Sequence, residues 1–258
     1  MPQTKFFNVK MYRLSNNNTL LSFIDITRLQ HLENLRTDFV GNVSHELKTP
    51  LSTIINIIEL LENQKKITVK EKNKFMKILS KESLKMKSII ENLLHLTKIE
   101  TDFTKKITKV VNLNKIILDS ISRIETRAKK NGIKIKYTRS KPVNILGDSD
   151  QLQQMFVNII DNSIKYADKK SLINIELRNF ENKLILSFKD QGKGIPQRLI
   201  PRITERFYRT PEAKVKRIEG TGLGLAIVKH IAIMHKAKLR ITSKINIGTT
   251  IEVSFKKV

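Results

Sequence analysis

Cysteine is absent from the 258 residues, and with it every disulfide framework, thiolate nucleophile and cysteine-based zinc site. Tryptophan is absent too, and the 11 Phe and 4 Tyr are not interleaved with basic residues, so nothing marks a base-stacking surface. No apolar run approaches the roughly 18 residues that a membrane span needs, and the opening Met1-Pro2-Gln3-Thr4-Lys5 lacks the apolar core of a signal peptide. Acidic residues are scarce, 24 against 49 Lys and Arg, which leaves a net charge of +25. Such a balance points to an anionic partner, but the basic residues are spread along a chain rich in Lys, Ile and Asn, with one local cluster over 129–141. The charge is therefore read as compositional drift with a mild steering effect, and no nucleic-acid partner is expected. Internal repeats and low-complexity tracts are also missing, and the length suffices for two modest domains.

What is present begins with a long helical pattern. Leu32, Leu35, Phe39, Val43, Ile54, Ile58 and Leu61 recur at the 3–4 spacing of a helix that buries one side, predicting a helix over 27–63. His45 points away from that stripe, Glu46 is its neighbour, Thr49 lies one turn on, and Pro50 removes a backbone donor just past the histidine. An exposed imidazole beside a carboxylate can act as a nucleophile, because the carboxylate holds one ring nitrogen protonated and leaves the other lone pair free. On this stretch alone a plain solvated face explains the pattern equally well. A second amphipathic helix follows over 68–98, with Phe75, Ile78, Leu79, Met86, Ile89, Ile90, Leu93 and Leu94 as its apolar positions. The short link Gln64-Lys65-Lys66 makes the pair an antiparallel hairpin, and pairing two copies into a four-helix bundle would cover its apolar stripe, so a homodimer is predicted. Before the helices, alternation over 5–14, the turn cluster Ser15-Asn16-Asn17-Asn18 and a second strand over 20–26 make a β-hairpin. Such a hairpin is not stable alone: either it docks on another element, or it is the tail of a domain whose beginning is absent.

Beyond Thr101-Asp102-Phe103-Thr104 the pattern becomes mixed. Helices are predicted over 113–130, 149–166 and 223–235, the second capped by Asp148 or Ser149, and strands over 133–138, 172–179, 183–189, 238–243 and 249–255. Their order does not repeat as βαβ, which predicts an α+β sandwich with helices on one face of a mixed sheet.

Four constellations here carry chemistry. Asn158, Asn162, Lys165 and, less well aligned, Tyr166 share one side of a helix, where amide oxygens complete a magnesium shell and a lysine neutralises phosphate. Asp190-Gln191-Gly192-Lys193-Gly194-Ile195-Pro196 follows a strand, so that an aspartate at the strand end can accept from an exocyclic amine while glycines admit a flat ligand. Gly220-Thr221-Gly222-Leu223-Gly224-Leu225 opens a helix with exposed backbone amides, a seat for phosphate, without the Lys-Ser/Thr of a Walker A loop. Glu205-Arg206-Phe207-Tyr208-Arg209 pairs aromatics with phosphate-reaching arginines, inside a polar stretch over 196–219 suited to a mobile cover.

His45-Glu46-Leu47-Lys48-Thr49-Pro50, the two asparagines, D-x-G-x-G, Arg-Phe-Tyr-Arg and G-T-G-L-G-L, in this order, resemble the bacterial two-component sensor histidine kinases. The lead-in Arg36-Thr37-Asp38-Phe39-Val40-Gly41-Asn42 is most similar to the phosphate-regulon sensor subgroup. The resemblance implies the tail of a PAS-like domain over 1–26, a HisKA dimerisation and phosphotransfer domain over 27–101, and an HATPase_c ATP-binding domain of the kinase, gyrase and heat-shock-chaperone type over 102–258. It implies an ATP-dependent protein-histidine kinase that autophosphorylates His45, with Glu46 polarising the imidazole and Thr49 joining Glu46 to orient water when the enzyme runs in reverse as a phosphatase. Asn162 would ligate Mg2+, Asn158 and Lys165 would meet phosphates, and Tyr166 would lie by the base or sugar. Asp190 would hydrogen-bond adenine in a pocket shaped by Gly192, Gly194 and Ile195. Arg209 would grip phosphate from the lid, and Gly220, Thr221, Gly222, Leu223, Gly224 and Leu225 would supply its hinge and phosphate amides. The partner implied is a response regulator whose receiver aspartate takes the phosphoryl group. The location implied is the cytoplasm, at the inner face of the membrane where an upstream anchor exists.

Two positions depart from the family pattern: Thr204 where phenylalanine is usual, and His235-Lys236-Ala237 where His-Gly-Gly is common. Neither removes a catalytic group, so an active enzyme is expected. Within the same ATP fold, a gyrase-type ATPase would need a water-activating glutamate where Gln154 stands, and it would leave the His45 helix without a role. A silent dimer that only sequesters or dephosphorylates a regulator is the rival outside catalysis.

Overall fold

The computed structural model describes residues 4–13, 18–63, 67–101, 107, 109–138, 141–216 and 218–257. It packs as two compact units, Met1–Met86 and Lys87–Val258, with the division falling inside a helix.

The first unit opens with strands β1 (Phe7–Arg13) and β2 (Thr19–Asp25), antiparallel with Phe7 opposite Asp25. Nearly every side chain of this hairpin is exposed, and its predicted turn lies largely outside the described residues. Helix α1 (Thr27–Asn63) starts where Asp25 Oδ1 accepts the Thr27 amide at 2.9 Å, as a capping aspartate does. Helix α2 (Val69–Thr101) starts with a reciprocal capping box: Thr68 Oγ1 accepts the Glu71 amide at 3.3 Å, and Glu71 Oε2 accepts the Thr68 amide at 3.0 Å. The Thr68 hydroxyl, which donates to Glu71 Oε2 at 2.7 Å, and the Thr68 amide hold the Glu71 carboxyl below its ordinary range.

Along α1 Val43, Leu47, Pro50, Ile54, Ile57 and Leu61, all half-buried or buried, form a heptad seam with 4–3 spacing, and Phe39, Glu46 and Thr53 are half-buried beside it. Ile58, expected in the buried stripe, is 43% exposed in the single chain, and Ile57 takes its place at 7%. The reason is that α1 carries two apolar rows. The second row, Leu51, Ile55 and Ile58, stays open at 45%, 44% and 43% exposure. No described helix is long and apolar enough to cross a membrane.

In the second unit, β3 (Val110–Asn112) pairs with β5 (Asn144–Leu146), two three-residue strands too short to leave a periodic signal. Helix α3 (Leu113–Lys130) is capped by Asn112, whose side chain accepts the Lys115 amide. Strand β4 (Lys134–Thr138), helix α4 (Ser149–Tyr166), strands β6 (Leu172–Asn179) and β7 (Lys183–Lys189), helices α5 (Pro211–Val215) and α6 (Gly224–Met234), and strands β8 (Lys238–Lys244) and β9 (Gly248–Lys256) follow. The five-stranded sheet has the order β4-β6-β7-β9-β8; β4 and β6 are parallel and the other pairs antiparallel. This is the mixed sheet of the predicted α+β sandwich. Alternate residues of β6 and β7 (Ile173, Ile175, Leu177; Leu184, Leu186, Phe188) are buried, as are Leu152, Met155, Phe156, Ile159 and Ile160 of α4. The Phe156 and Phe188 rings meet with centroids 5.8 Å apart.

Buried His235 links the end of α6 to the start of α4. Its Nδ1–H donates to the Ile231 carbonyl at 2.8 Å, and its Nε2 accepts the amide of Asp148, the residue that caps α4, at 3.0 Å. Both ring nitrogens are committed to the neutral form, and burial pushes the imidazole below its ordinary value, against the opposing Ile231 bond and Asp148 charge. As pH falls below about 6.5, the unfolded chain takes up the proton first, so stability should drop by up to about 1.4 kcal/mol per pH unit until the folded imidazole titrates. Denaturant unfolding between pH 7.5 and 5.5 should therefore show a steeper loss in the wild type than in His235→Gln. Equal slopes would mean that the bond from Asp148 is not coupled to titration. The next residue, Lys236, stands at φ 52, the left-handed region where a glycine carries no strain.

Candidate active site

The first unit presents His45. Its side chain is exposed on α1, while Pro50, five residues on, is buried. The Thr49 hydroxyl donates to the His45 carbonyl at 3.2 Å, and the Ser44 hydroxyl donates to Val40 O at 2.9 Å. The Thr49 back-bond sits beside the Glu46 carbonyl that Pro50, lacking an amide hydrogen, leaves without its helical partner. Among the described residues no side chain holds the imidazole, and half-buried Glu46 is not bonded to it in this conformation.

The second unit contains a cavity of about 870 Å³, within the range of small-ligand sites. Asn158, Asn162, Lys165 and Tyr166 line it from α4, Asp190, Gly192, Gly194 and Ile195 from the loop after β7, and Arg209, Gly220, Thr221, Gly222, Gly224 and Leu225 from the segment leading into α6. Leu223 is the exception among the predicted binding residues. It is fully buried behind the wall, because the helix it precedes turns that side into the core.

Asp190 is 5% exposed and ends β7. Its Oδ1 accepts two backbone amides, Gly192 and Thr249, each at 3.0 Å, and the Ser163 hydroxyl lies near enough to favour the charged carboxylate. Burial pushes the carboxyl up from its ordinary range, and these three donors oppose the shift. With Oδ1 saturated, Oδ2 is the oxygen left to meet a ligand.

On α4, Asn158 Oδ1 accepts from Gln154 Nε2 at 3.3 Å, and its buried Nδ2 has no partner. Asn162 Nδ2 lies 3.5 Å from where a Cβ on Gly224 would sit, so the glycine keeps this wall open. Asp161 is clamped between Arg127 and Lys165, each at 2.6 Å, which fixes the lysine head near Gly220. Tyr166 is pushed up by burial, with Arg209 opposing.

The cover over 196–222 is knit from within. Arg209 Nη2 donates to the carbonyls of Ala213 and Ile218, while its buried Nε is unpaired. Arg202 stacks on the Tyr208 ring, 4.5 Å from its centroid. Phe207 and Gly222 both take left-handed φ, at 60° and 75°, and a Cβ on Gly222 would fall 2.6 Å from the Phe207 carbonyl carbon.

Mg2+, implied by the resemblance, has no acidic cage here: the described residues hold no group of three His, Cys, Asp or Glu that could bind a metal. The donor set still fits the ion. A partly hydrated magnesium shared with phosphates needs few protein ligands. The half-buried Asn162 can offer an amide oxygen to such an ion, while the unpaired Asn158 Nδ2, a donor, suits the phosphate oxygens that share it.

Sequence reasoning did not find Ser163, Asp161, Arg127, Ser243, Gly248 or Thr249. Asp161 had a signal, the i,i+4 spacing to Lys165, and Thr249 had one in the preceding glycine. The others come together only through tertiary pairing.

Comparison with known proteins supplies the lineage. Residues 147–258 match the family described as histidine kinase-, DNA gyrase B-, and HSP90-like ATPase, and residues 35–102 match the His Kinase A (phospho-acceptor) domain. The chain is 32% identical over 250 residues to the phosphate regulon sensor protein PhoR of Pseudomonas aeruginosa, covering 96% of this chain and 56% of that protein. It is 32% identical over 232 residues to the sensor protein kinase WalK of Staphylococcus aureus, covering 89% of this chain and 56% of that protein. The chain thus spans about half the length of the curated relatives it matches. Its fold is similar to that of the histidine kinase ThkA, solved in complex with the response regulator TrrA, with TM-score 0.59 and 18% identity over 98% of this chain and 75% of that one. A helix carrying exposed His45 within the phospho-acceptor match, followed by an ATPase-like fold whose cavity ends on buried Asp190, agrees with these matches, and the chain belongs to the sensor histidine kinases.

Proposed function

We propose that this chain binds ATP in the second-unit cavity, transfers the γ-phosphoryl group to His45, and passes it to an aspartate on a response regulator. The observation that carries the nucleotide half is Asp190: one oxygen saturated by backbone amides, the other left for an exocyclic amine, at the floor of a glycine-walled cavity. In the transfer, the lone pair of one ring nitrogen of His45 attacks the γ-phosphorus, the bond from phosphorus to the β,γ-bridging oxygen breaks, and ADP leaves with those electrons. Glu46, once turned onto the imidazole, accepts the N–H of the other ring nitrogen and balances the positive charge that develops there. A Mg2+ ion held by Asn162 would neutralise charge on the phosphates. Asn158 and Lys165 hold the phosphates in line, Tyr166 lies by the base or sugar, and Asp161 with Arg127 keeps the Lys165 head in place. Arg209 supports the cover, and its unpaired Nε is the donor left for phosphate. Amides of the segment Gly220 to Leu225 face the same anion.

Gln154 favours this reading over a water-activating ATPase, since an amide engaged with Asn158 cannot serve as a base. The ThkA structure holds a response regulator, which supports the partner assigned here. In reverse, Glu46 and Thr49 orient water against the phosphorylated regulator, once the Thr49 hydroxyl leaves the His45 carbonyl. Domain limits of 27–101 and 102–258, with 1–26 as the end of a PAS-like domain, and a cytoplasmic location with any anchor upstream, belong to the same proposal. The test is transfer. Chain labelled with γ-labelled ATP and then mixed with its receiver domain should lose label to a base-labile acyl phosphate on the receiver; label that stays on the chain with every receiver tried would refute the relay.

The open row Leu51, Ile55 and Ile58 supports a homodimer through α1. Sedimentation at micromolar concentration should show a dimer, and a triple substitution to aspartate should give monomers that still bind ADP. A wild-type monomer would contradict this.

A further inference from the structure

Behind the cavity wall lies a buried serine that touches no ligand position. Ser243 is 8% exposed on β8 and sits directly opposite Thr249 of β9, so both side chains leave the same face of the sheet. The Ser243 hydroxyl makes three hydrogen bonds. Its oxygen accepts the Ile195 amide at 2.8 Å, its hydroxyl donates to the Gly248 carbonyl at 2.9 Å, and it shares a 2.9 Å bond with the Thr249 hydroxyl.

Counting hydrogens fixes the direction of the last bond. A serine hydroxyl has one hydrogen and two lone pairs. The hydrogen is spent on Gly248, whose carbonyl can only accept, and one lone pair is spent on Ile195. The bond to Thr249 therefore uses the second lone pair, and Thr249 is its donor. With its only hydrogen turned back to Ser243, the Thr249 oxygen can offer the cavity nothing but lone pairs. Thr249 lines the cavity beside Asp190, and its own amide is one of the two that saturate Asp190 Oδ1. The floor thus presents two acceptors, Asp190 Oδ2 and Thr249 Oγ1, and no hydroxyl donor from this pair.

We propose that Ser243 is a positioning residue for base selection: by holding the Thr249 hydroxyl as an acceptor, it makes the cavity favour a base with an exocyclic amine over its 6-oxo counterpart. This rests on the nucleotide reading above. An amine has two hydrogens for two acceptors; a carbonyl oxygen at the same place meets two oxygens and no proton. The serine also ties Ile195 to β8, and Gln197 Nε2 donates to the Ser243 carbonyl at 3.0 Å, so the node is rigid enough to keep the direction.

The test is equilibrium binding of ADP and of IDP, which differ only in the 6-amine against the 6-oxo group with its protonated N1. The wild type should bind ADP far more tightly. In Ser243→Ala the Thr249 hydroxyl is free to turn and donate, so IDP binding should improve about tenfold in absolute terms while ADP weakens only a few-fold. Thr249→Val should weaken ADP with no gain for IDP. A cavity that is merely loosened loses both ligands and gains neither. Ser243→Cys, near in size and a poor hydrogen-bonding group, should shift the ratio in the same direction and serves if the alanine variant does not fold. IDP binding no stronger than wild type in both Ser243 variants would overturn the proposal while leaving the nucleotide reading intact. A wild type that binds neither ADP nor IDP would overturn both.

Discussion

Asp190→Asn should weaken ADP binding by at least about 100-fold without unfolding the second unit. The asparagine must keep its carbonyl oxygen on the Gly192 and Thr249 amides, which both point at Oδ1. Its NH2 group then occupies the place of Oδ2, and a donor faces the donor of an exocyclic amine. One hydrogen bond is lost and two buried donors are left unpaired, each worth about 1–3 kcal/mol, and about 1.4 kcal/mol is tenfold. Stability should move the other way or not at all. Burial already penalises the carboxylate, whose pKa lies above its ordinary range, so a neutral side chain relieves that cost at neutral pH. Calorimetric titration with ADP beside a thermal melt separates the two effects. Binding within threefold of wild type would show that Asp190 does not read the base.

The second large effect belongs to Gly194→Ala, expected to destabilise the second unit by about 3–5 kcal/mol, enough to lower its melting temperature by roughly 10 °C. Gly194 stands at φ 68, and a Cβ there would land on the carbonyl oxygen of Lys244. The loop cannot retreat, because it is stapled on both sides: the Asn246 amide donates to Lys193 O at 2.8 Å, and the Ile195 amide donates to Ser243 Oγ at 2.8 Å. Gly41 is the internal control. It lies within α1 with nothing within 4 Å of its would-be Cβ, so Gly41→Ala should stabilise its helix by about 0.5–1 kcal/mol. Denaturant unfolding of the two variants should give opposite signs; a neutral Gly194→Ala would mean that the β8–β9 turn yields.

Much of this arrangement is legible in the residues themselves, for reasons that differ by element. The bounds of β6 and β7 follow from alternation between turn signals, and the end of α3 from Asn131-Gly132, which are local chemistry. The strands β3 and β5 escape because three residues carry no period and are made only by pairing with each other. Ile57 against Ile58 could not be decided from α1 alone, since both rows are apolar and the choice belongs to the helix it packs on.

The site divides the same way. The asparagines, Asp190 and the glycines betray themselves because they line the cavity in runs that share one helix or one loop. Ser163, Ser243 and Thr249 are ordinary in type, and they matter because the β8–β9 register and the packing of α4 bring them onto Asp190. Leu223 shows the reverse error: a position inside the glycine run expected to bind phosphate, whose side chain serves the core.

The most direct test of the kinase assignment is incubation of the chain with γ-labelled ATP and magnesium, wild type beside His45→Ala and Asn162→Ala. The account predicts acid-labile, base-stable label on the wild type and on neither variant, with ADP binding intact in His45→Ala. Label that persists on His45→Ala, or a wild type that binds ATP and takes up none, would contradict it.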